Sequence, residues 1–173
     1  MRKFIVSILV AFLPPSFASA DISIAEYYIV NAQIVGTGRL SVLFWDVYDA
    51  ALYAPDGKWS SKTPYALSLS YLRDLSSNEI AERSVQEMRD QGLDDETTLG
   101  EWLQKMRALF PDVEKNTILT GVRDENGHTI FYHDDKHIGS ITDIAFADRF
   151  FGIWLKETTS EPRLRKKLLG IIE

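Results

Sequence analysis

Alternating hydrophobic and polar positions predict β-strands in the first third of the chain. The segment Ile29–Val35 favours a strand and stops at Gly36-Thr37-Gly38, a cluster typical of a turn. Arg39–Tyr53 then has no uniformly polar face, which predicts a strand that is covered on both sides or bulged near Asp46–Asp49. A further segment alternates strictly and places these side chains on one face: Tyr65, Leu67, Leu69 and Tyr71.

A helical period replaces the alternation in the middle of the chain. A Ser76-x-x-Glu79 capping box begins one helix, and the acidic turn near Asp94 begins a second, which ends before Pro111. Short strands are predicted over 117–123, 129–133 and 137–141. Thr142-Asp143 then caps a helix rich in aromatic residues, and a basic helix follows over 163–169. Because strands and helices fall in separate blocks, the predicted fold class is α+β.

The first twenty residues have the pattern of a signal peptide. Arg2-Lys3 precedes an apolar run, Phe4–Leu13, which is followed by Pro14-Pro15 and by Ala18-Ser19-Ala20. The run of about ten residues is too short to span a bilayer. A buried core helix is the alternative, but it does not explain this order of features. We therefore expect cleavage after Ala20, a single domain over 21–173, and a periplasmic or secreted location.

Composition and charge exclude several classes of function. The net charge is −6, and removal of Arg2 and Lys3 with the signal peptide makes it −8, which disfavours nucleic acid as a partner. The absence of Cys excludes disulfides, thiolate zinc sites and cysteine nucleophiles. The sequence contains neither a P-loop nor a Gly-x-Ser-x-Gly elbow. No cofactor is expected.

Two groups of polar residues are predicted to be solvated. His133 and His137 flank a turn and could begin a metal site, but a third well-spaced ligand is missing, so no metal is expected. The first helix carries charges that are predicted to form one solvated face with i,i+4 pairs: Glu79, Glu82, Arg83, Glu87, Arg89 and Asp90.

Arg39 is the candidate binding residue that the pattern singles out. It begins the most apolar strand, and it is the first cation after residue 20. Placing a guanidinium against an apolar sheet costs free energy unless an anion meets it. Tyr48 and Tyr53 lie later on the same strand and supply hydroxyl groups. Spacing alone also allows the alternative in which Arg39 lies at the exposed end of the strand and points into water.

Three segments resemble the chalcone isomerase-like superfamily, in particular its exported bacterial branch. These are Arg39–Pro55, Tyr65–Met88 and Thr120–Leu155, which cover most of the mature chain in the family's order. The resemblance implies an open-faced β-sandwich in which helices pack on a large antiparallel sheet around a ligand cleft. It also implies one of two functions. Plant enzymes of the superfamily cyclise chalcones without a cofactor, whereas non-catalytic relatives bind fatty acids through an Arg and a Tyr.

The resemblance favours binding over catalysis. Tyr48 stands where the enzymes have Thr and the fatty-acid binders have Tyr, and Arg83 stands where the enzymes have Asn. Arg39 matches the family's Arg, and Thr142 or Asp143 falls at its late Ser/Thr. We expect a fatty acid or similar amphipathic acid in a cleft between the sheet and the helix over 80–88. The candidate ligand-binding residues are Arg39, Tyr48, Tyr53, Arg83 and Thr142.

Two other functions stay open at this point. The first is a cofactor-independent intramolecular lyase or isomerase for an enone or phenolic substrate, in which Arg39 and Tyr48 stabilise an enolate. The second is an interaction module of the cell envelope with a filled cleft. It predicts no void beside Arg39. Protein partners cannot be named from the sequence.

Overall fold

A six-stranded antiparallel sheet and five helices make up residues 19–172, the part of the chain that this computed structural model describes. Each strand pairs with its neighbours in sequence, so the sheet order follows the chain. The strands are β1 (Ala32–Val42), β2 (Trp45–Pro55), β3 (Tyr65–Tyr71), β4 (Ile118–Arg123), β5 (Thr129–His133) and β6 (Lys136–Ile141). The helices are α1 (Ser19–Tyr28), α2 (Ser77–Asp90), α3 (Glu96–Leu109), α4 (Ile144–Leu155) and α5 (Pro162–Leu168).

Helices cover both faces of the sheet, but unequally. The inner face packs against α2, α3, α4 and α5 and holds the main core, in which Leu52, Met88 and Phe146 are almost fully buried. The outer face holds a smaller cluster, in which α1 packs against Ala51 and Tyr53. The architecture is the predicted α+β class with an open antiparallel sheet.

Most predicted elements are confirmed within one or two residues. Strand β3 has the predicted bounds, and α2 begins with the predicted capping box between Ser76 and Glu79. Asp95 and Asp143 cap α3 and α4, and the β4–β6 hairpins lie where the turn signals place them. Strand β2 shows both predicted features, since Ala50–Ala54 are buried and the register shifts beside Tyr48. The predicted signal peptide falls almost entirely outside the described residues.

The predicted turn at Gly36-Thr37-Gly38 is wrong, because β1 runs straight through it. These glycines serve close packing with α5. A Cβ at Gly36 would lie 2.1 Å from the Lys167 carbonyl oxygen, and one at Gly38 would lie 2.7 Å from Leu164 Cδ1. The chain reverses instead after Val42, and the single strand predicted over 39–53 is a hairpin.

Candidate ligand-binding site

An apolar cavity of about 420 Å³ lies between the inner face of the sheet and helices α2 and α4. This volume is within the range of sites that hold small organic ligands, about 300–1,000 Å³. Leucines of β3 and β4 form one wall, and side chains of α2 and α4 form the other: Leu67, Leu69, Leu119, Ile80, Phe150 and Ile153. The predicted cleft between the sheet and the helix over 80–88 is therefore present.

The cavity has a charged mouth and an aromatic interior. Among its lining residues, Arg73, Glu79 and Arg83 are exposed and mark the mouth. The buried end is formed by Phe131, whose ring centroid lies 5.1 Å from that of Phe110 and 5.2 Å from that of Phe150. Such a cavity suits a molecule with a polar head and an apolar body.

Tyr48 presents its hydroxyl group inside this cavity. It lies on β2 opposite Leu40 of β1, and both side chains are on the inner face. The indole Nε1–H of Trp154 donates a 2.8 Å hydrogen bond to the Tyr48 hydroxyl oxygen. Because that oxygen acts as the acceptor, the Tyr48 proton remains available to donate. The predicted position of Tyr48 in the cleft agrees with the structure.

Tyr71 supplies a second hydroxyl beside the first. It pairs with Tyr48 across β2 and β3, and the two ring centroids lie 5.8 Å apart. Burial raises the pKa of both phenols above the ordinary value, so both stay protonated donors at physiological pH. No group in residues 19–172 forms a hydrogen bond with the Tyr71 hydroxyl, which leaves it free for a ligand.

A buried carboxylate lies near these phenols. Glu87 on α2 is only 6% exposed, and after burial and the charge of Glu161 its carboxylate raises the pKa of Tyr48 further. The Glu87 carboxylate forms an ion pair with Arg83 Nη2. Ser160 Oγ also lies within hydrogen-bond distance of both Glu87 oxygens, at 3.0 Å from Oε1 and 2.9 Å from Oε2. Arg83 itself is mostly exposed at the mouth. The i,i+4 pair agrees with the predicted pattern, but the predicted solvation of Glu87 is wrong.

Arg39 does not point into the cavity, so its predicted orientation is wrong. It pairs with Asp49 across the β1–β2 hairpin, on the face opposite Leu40 and Tyr48. Arg39 Nε and Nη2 donate to the two Asp49 oxygens at 2.7 and 2.9 Å, and Nη1 donates to Asp46 at 2.7 Å. The hydrogen bond to Asp49 raises the pKa of the guanidinium. The anions that meet the Arg39 guanidinium are therefore carboxylates of the protein itself, and not those of a ligand.

Two other predicted site residues also lie outside the cavity. Tyr53 is buried on the outer face of the sheet, within the cluster beneath α1. Thr142 is exposed between β6 and α4. The adjacent Asp143 caps α4 and accepts a 3.0 Å hydrogen bond from Trp102 Nε1, so it has a structural role. The structure thus brings together Tyr48 and Arg83 and separates them from Arg39, Tyr53 and Thr142.

The histidines lie in or beside the β4–β6 hairpins, outside the cavity lining. His128 and His133 lie 3.6 Å from Asp124 and Asp134, respectively, and His137 packs against Tyr132. Within residues 19–172, no three His, Cys, Asp or Glu side chains are grouped as metal ligands would be. In the same range, none of the helices has the length and apolar character needed to cross a bilayer.

Sequence reasoning missed four residues of the site: Tyr71, Arg73, Glu87 and Trp154. Tyr71 could have been predicted, because the strict alternation of β3 already places it on the same face as Leu67 and Leu69. Trp154 lay in the predicted apolar helix, but nothing local assigns its partner. Glu87 accepts a hydrogen bond from Ser160, which is 73 residues away in sequence. That contact leaves no signal along α2.

Comparisons with known proteins agree with this architecture. The sequence profile described as "Chalcone isomerase-like" matches residues 26–170. This chain belongs to the chalcone isomerase-like family. An uncharacterized protein of Haemophilus influenzae is 29% identical over 140 residues, which cover 80% of this chain and 68% of that relative.

A solved structure shows the same fold. The crystal structure of a fatty-acid binding protein from Arabidopsis thaliana is similar to this chalcone isomerase-like chain with a TM-score of 0.65. The match covers 82% of this chain and 88% of that chain at 13% sequence identity. At that identity the likeness establishes the shared fold.

Proposed function

We propose that this protein binds a fatty acid or a similar small amphipathic acid in the cavity between the sheet and helices α2 and α4. One observation carries the proposal: an apolar cavity of about 420 Å³ contains two protonated phenols and has arginines at its mouth. The shared fold with a plant fatty-acid binding protein supports the same ligand class.

The acid's carboxylate would lie at the mouth, between Tyr48 and Arg83. Tyr48 donates its free proton, Tyr71 offers a second donor, and Arg83 supplies positive charge. Charge-assisted hydrogen bonds of this kind are stronger than neutral ones. Arg83 takes the place that the sequence assigned to Arg39.

The acyl chain would lie along the leucines of β3 and β4 and end at the phenylalanines of the buried end. Each methylene transferred from water contributes about 0.8 kcal/mol. Binding should therefore strengthen with chain length until the chain reaches Phe131 and Phe150, and then level off.

A binding function without catalysis is part of the proposal. The isomerase alternative requires Arg39 and Tyr48 at one reacting oxygen, yet these residues lie on opposite faces of the sheet. The interaction-module alternative requires a filled cleft, and the open cavity argues against it. Neither alternative has an observation in its favour.

Export is a separate proposal, based on the signal-peptide pattern of residues 1–20. We propose that the protein acts in the periplasm or outside the cell. Cell fractionation of the host followed by N-terminal sequencing tests it. The expected first residue of the exported protein is Asp21, and a cytosolic protein that retains Met1 would contradict export.

Thermal unfolding with a series of fatty acids tests the binding function. Delipidated protein should be stabilised by saturated fatty acids, with a shift in midpoint that grows with chain length and then stops growing. Tyr48→Phe should reduce the shift at every length. An equal shift with a chalcone, accompanied by turnover above the solvent background, would favour the enzyme instead. No shift at any length would contradict the proposal.

A further inference from the structure

Four consecutive apolar residues form the exposed end of the β1–β2 hairpin, which we name the apolar tip: Val42, Leu43, Phe44 and Trp45. These residues are 50%, 87%, 99% and 66% exposed, respectively. Single exposed apolar residues are ordinary on a protein surface, whereas a contiguous patch marks a contact with another molecule or a membrane.

The backbone of the apolar tip is unusual for a hairpin. Leu43 has a φ of 57°, in the left-handed region where two-residue hairpin turns normally have Gly or Asn. A leucine disfavours this conformation because its Cβ approaches the carbonyl oxygen. The sequence thus keeps an apolar side chain at a position where a turn-forming residue would be more stable. This indicates that the side chain has a role beyond the turn.

The apolar tip is continuous with the mouth of the cavity. Val42 belongs both to the tip and to the cavity lining, where it follows Leu40 on the inner face of β1. The guanidinium carbon of Arg73, another residue of the mouth, lies 5.8 Å from the ring centroid of Trp45. A molecule that leaves the cavity at this point meets the apolar tip.

Four charged side chains at this end of the hairpin balance one another. Asp46 and Asp49 both bind Arg39, and Arg73 lies over Trp45, so these four charges sum to zero. Attraction to a strongly charged surface is therefore weak. This arrangement favours contact through apolar side chains, and such contact depends little on salt.

We propose that the apolar tip inserts into the headgroup region of a lipid bilayer and turns the cavity mouth toward the membrane. The proposal rests on acid binding in the cavity, because a bilayer is where such an acid would be taken up or released. Trp45, with an aromatic ring and an N–H group, suits the membrane–water interface.

The size of the apolar tip favours a bilayer over a protein partner. Its two aromatic side chains can bury roughly 150–250 Å² each. A stable protein interface buries about 800 Å² per partner. A narrow hairpin end reaches that area poorly, but it enters the space between lipid headgroups without requiring a complementary surface.

Quenching of tryptophan fluorescence by brominated lipids tests this directly. The vesicles contain zwitterionic phosphatidylcholine with bromine on the acyl chains, and the difference between wild type and Trp45→Phe isolates the signal of Trp45. We expect the bromine to quench Trp45, with little change between low and high salt. This readout reports only on the apolar tip, whatever other part of the chain contacts the vesicle.

A tip variant and a matched control complete the test. Leu43→Gly with Phe44→Ser places Gly at the positive φ, so the hairpin should form at least as well as in the wild type. It should reduce quenching of Trp45 at least tenfold at a given lipid concentration. Val30→Ser should leave quenching unchanged, since Val30 is 88% exposed but lies at the other end of the hairpin.

Three results would overturn membrane insertion. They are absence of Trp45 quenching in the wild type, equal quenching in the tip variant, and a dimer that forms without lipid and is lost in the tip variant. Fatty-acid affinity is also measured in vesicle-free buffer, and it should be the same in the wild type and in the tip variant. Failure of that affinity in the wild type contradicts acid binding, whereas failure of quenching alone contradicts membrane insertion.

Discussion

Trp154 of α4 donates a 2.8 Å hydrogen bond to the hydroxyl oxygen of Tyr48 on β2, inside the cavity. This contact joins the helical layer to the sheet across 106 residues of sequence, and it leaves the phenol's proton available to donate to a ligand in the cavity. It therefore links the stability of the fold to the chemistry of the proposed site.

The Trp154–Tyr48 hydrogen bond should appear as a coupling energy. Trp154→Phe removes the donor and creates a small void, so we expect the free energy of unfolding to fall by about 1–3 kcal/mol. Tyr48→Phe should cost about 1 kcal/mol. Since both changes remove the same contact, the double variant should lose about 1 kcal/mol less than the sum. Urea unfolding of the four proteins measures this, and strict additivity would show that the contact does not stabilise the fold.

Tyr48→Phe should weaken fatty-acid binding by about tenfold to a hundredfold. The reason is the loss of one hydrogen bond to the ligand carboxylate, because a hydrogen bond to a charged group is worth roughly 1.5–3 kcal/mol. Titration calorimetry with a long-chain saturated acid measures the affinity. Tyr65→Phe is the matched control, because Tyr65 is also buried on the inner face but packs against Trp59 and Phe151 outside the cavity lining. Equal losses in the two variants would contradict the assigned head-group position.

Glu87→Gln should tighten the binding of fatty acids by about tenfold. The Glu87 carboxylate is buried near Tyr48 and forms an ion pair with Arg83. It therefore repels the carboxylate of an incoming ligand and competes with that carboxylate for Arg83. Glutamine keeps the shape and the acceptor for Ser160 while releasing Arg83. A fatty alcohol of the same length provides the control, since its neutral head should bind both proteins alike. Tighter binding of the alcohol as well would point to a change in cavity shape.

Arg39→Ala should leave fatty-acid affinity within about a factor of two of the wild type. The Arg39 guanidinium lies on the face opposite the cavity and is held by Asp46 and Asp49. The variant should instead lose a little stability, and the loss should shrink as salt is added, since exposed ion pairs are screened. A large fall in affinity with unchanged stability would restore Arg39 to the binding site.

The stability that the buried phenols contribute should stay level up to about pH 10 and then fall. Burial raises the pKa of Tyr71 above its ordinary value of 10.0, so ionisation is easier in the unfolded chain than in the folded one. A raised folded pKa stabilises the fold fully below the unfolded pKa, and this stabilisation is lost as pH rises through the folded pKa. Each buried phenol adds a slope of at most about 1.4 kcal/mol per pH unit above pH 10.

Removing one phenol tests this pH dependence. Tyr71→Phe should flatten the alkaline slope, while the curves of the two proteins run parallel between about pH 7 and 9. Denaturant unfolding at a series of pH values gives the slopes. If both proteins lose stability equally above pH 10, Tyr71 is not the group responsible.

Local signals in the sequence were sufficient for much of the fold. The alternation of Tyr65–Tyr71 and the capping box at Ser76 depend on neighbouring residues alone, and both agree with the structure. The glycines at 36 and 38 misled the strand prediction, because their purpose is close approach by α5, about 130 residues later. A packing requirement of that kind looks like a turn when only the local sequence is read.

The candidate site was predictable only in part. Tyr48 and the helix over 80–88 follow from alternation and family resemblance, and they do meet at the cavity. The face of the sheet on which Arg39 lies depends on where β1 ends and the chain turns back into β2. That turn, at Leu43, has none of the usual turn residues. Arg39 could therefore be assigned to either face until its cross-strand partner, Asp49, was known.

Diffraction from crystals grown with a fatty acid brominated at its methyl end would locate both ends of the bound ligand. We expect a single anomalous bromine peak in the buried end of the cavity, beside Phe131 and Phe150, with the carboxylate in hydrogen-bond range of Tyr48. Bromine found only on the protein surface, or a cavity that stays empty at saturating ligand, would contradict fatty-acid binding in this cavity.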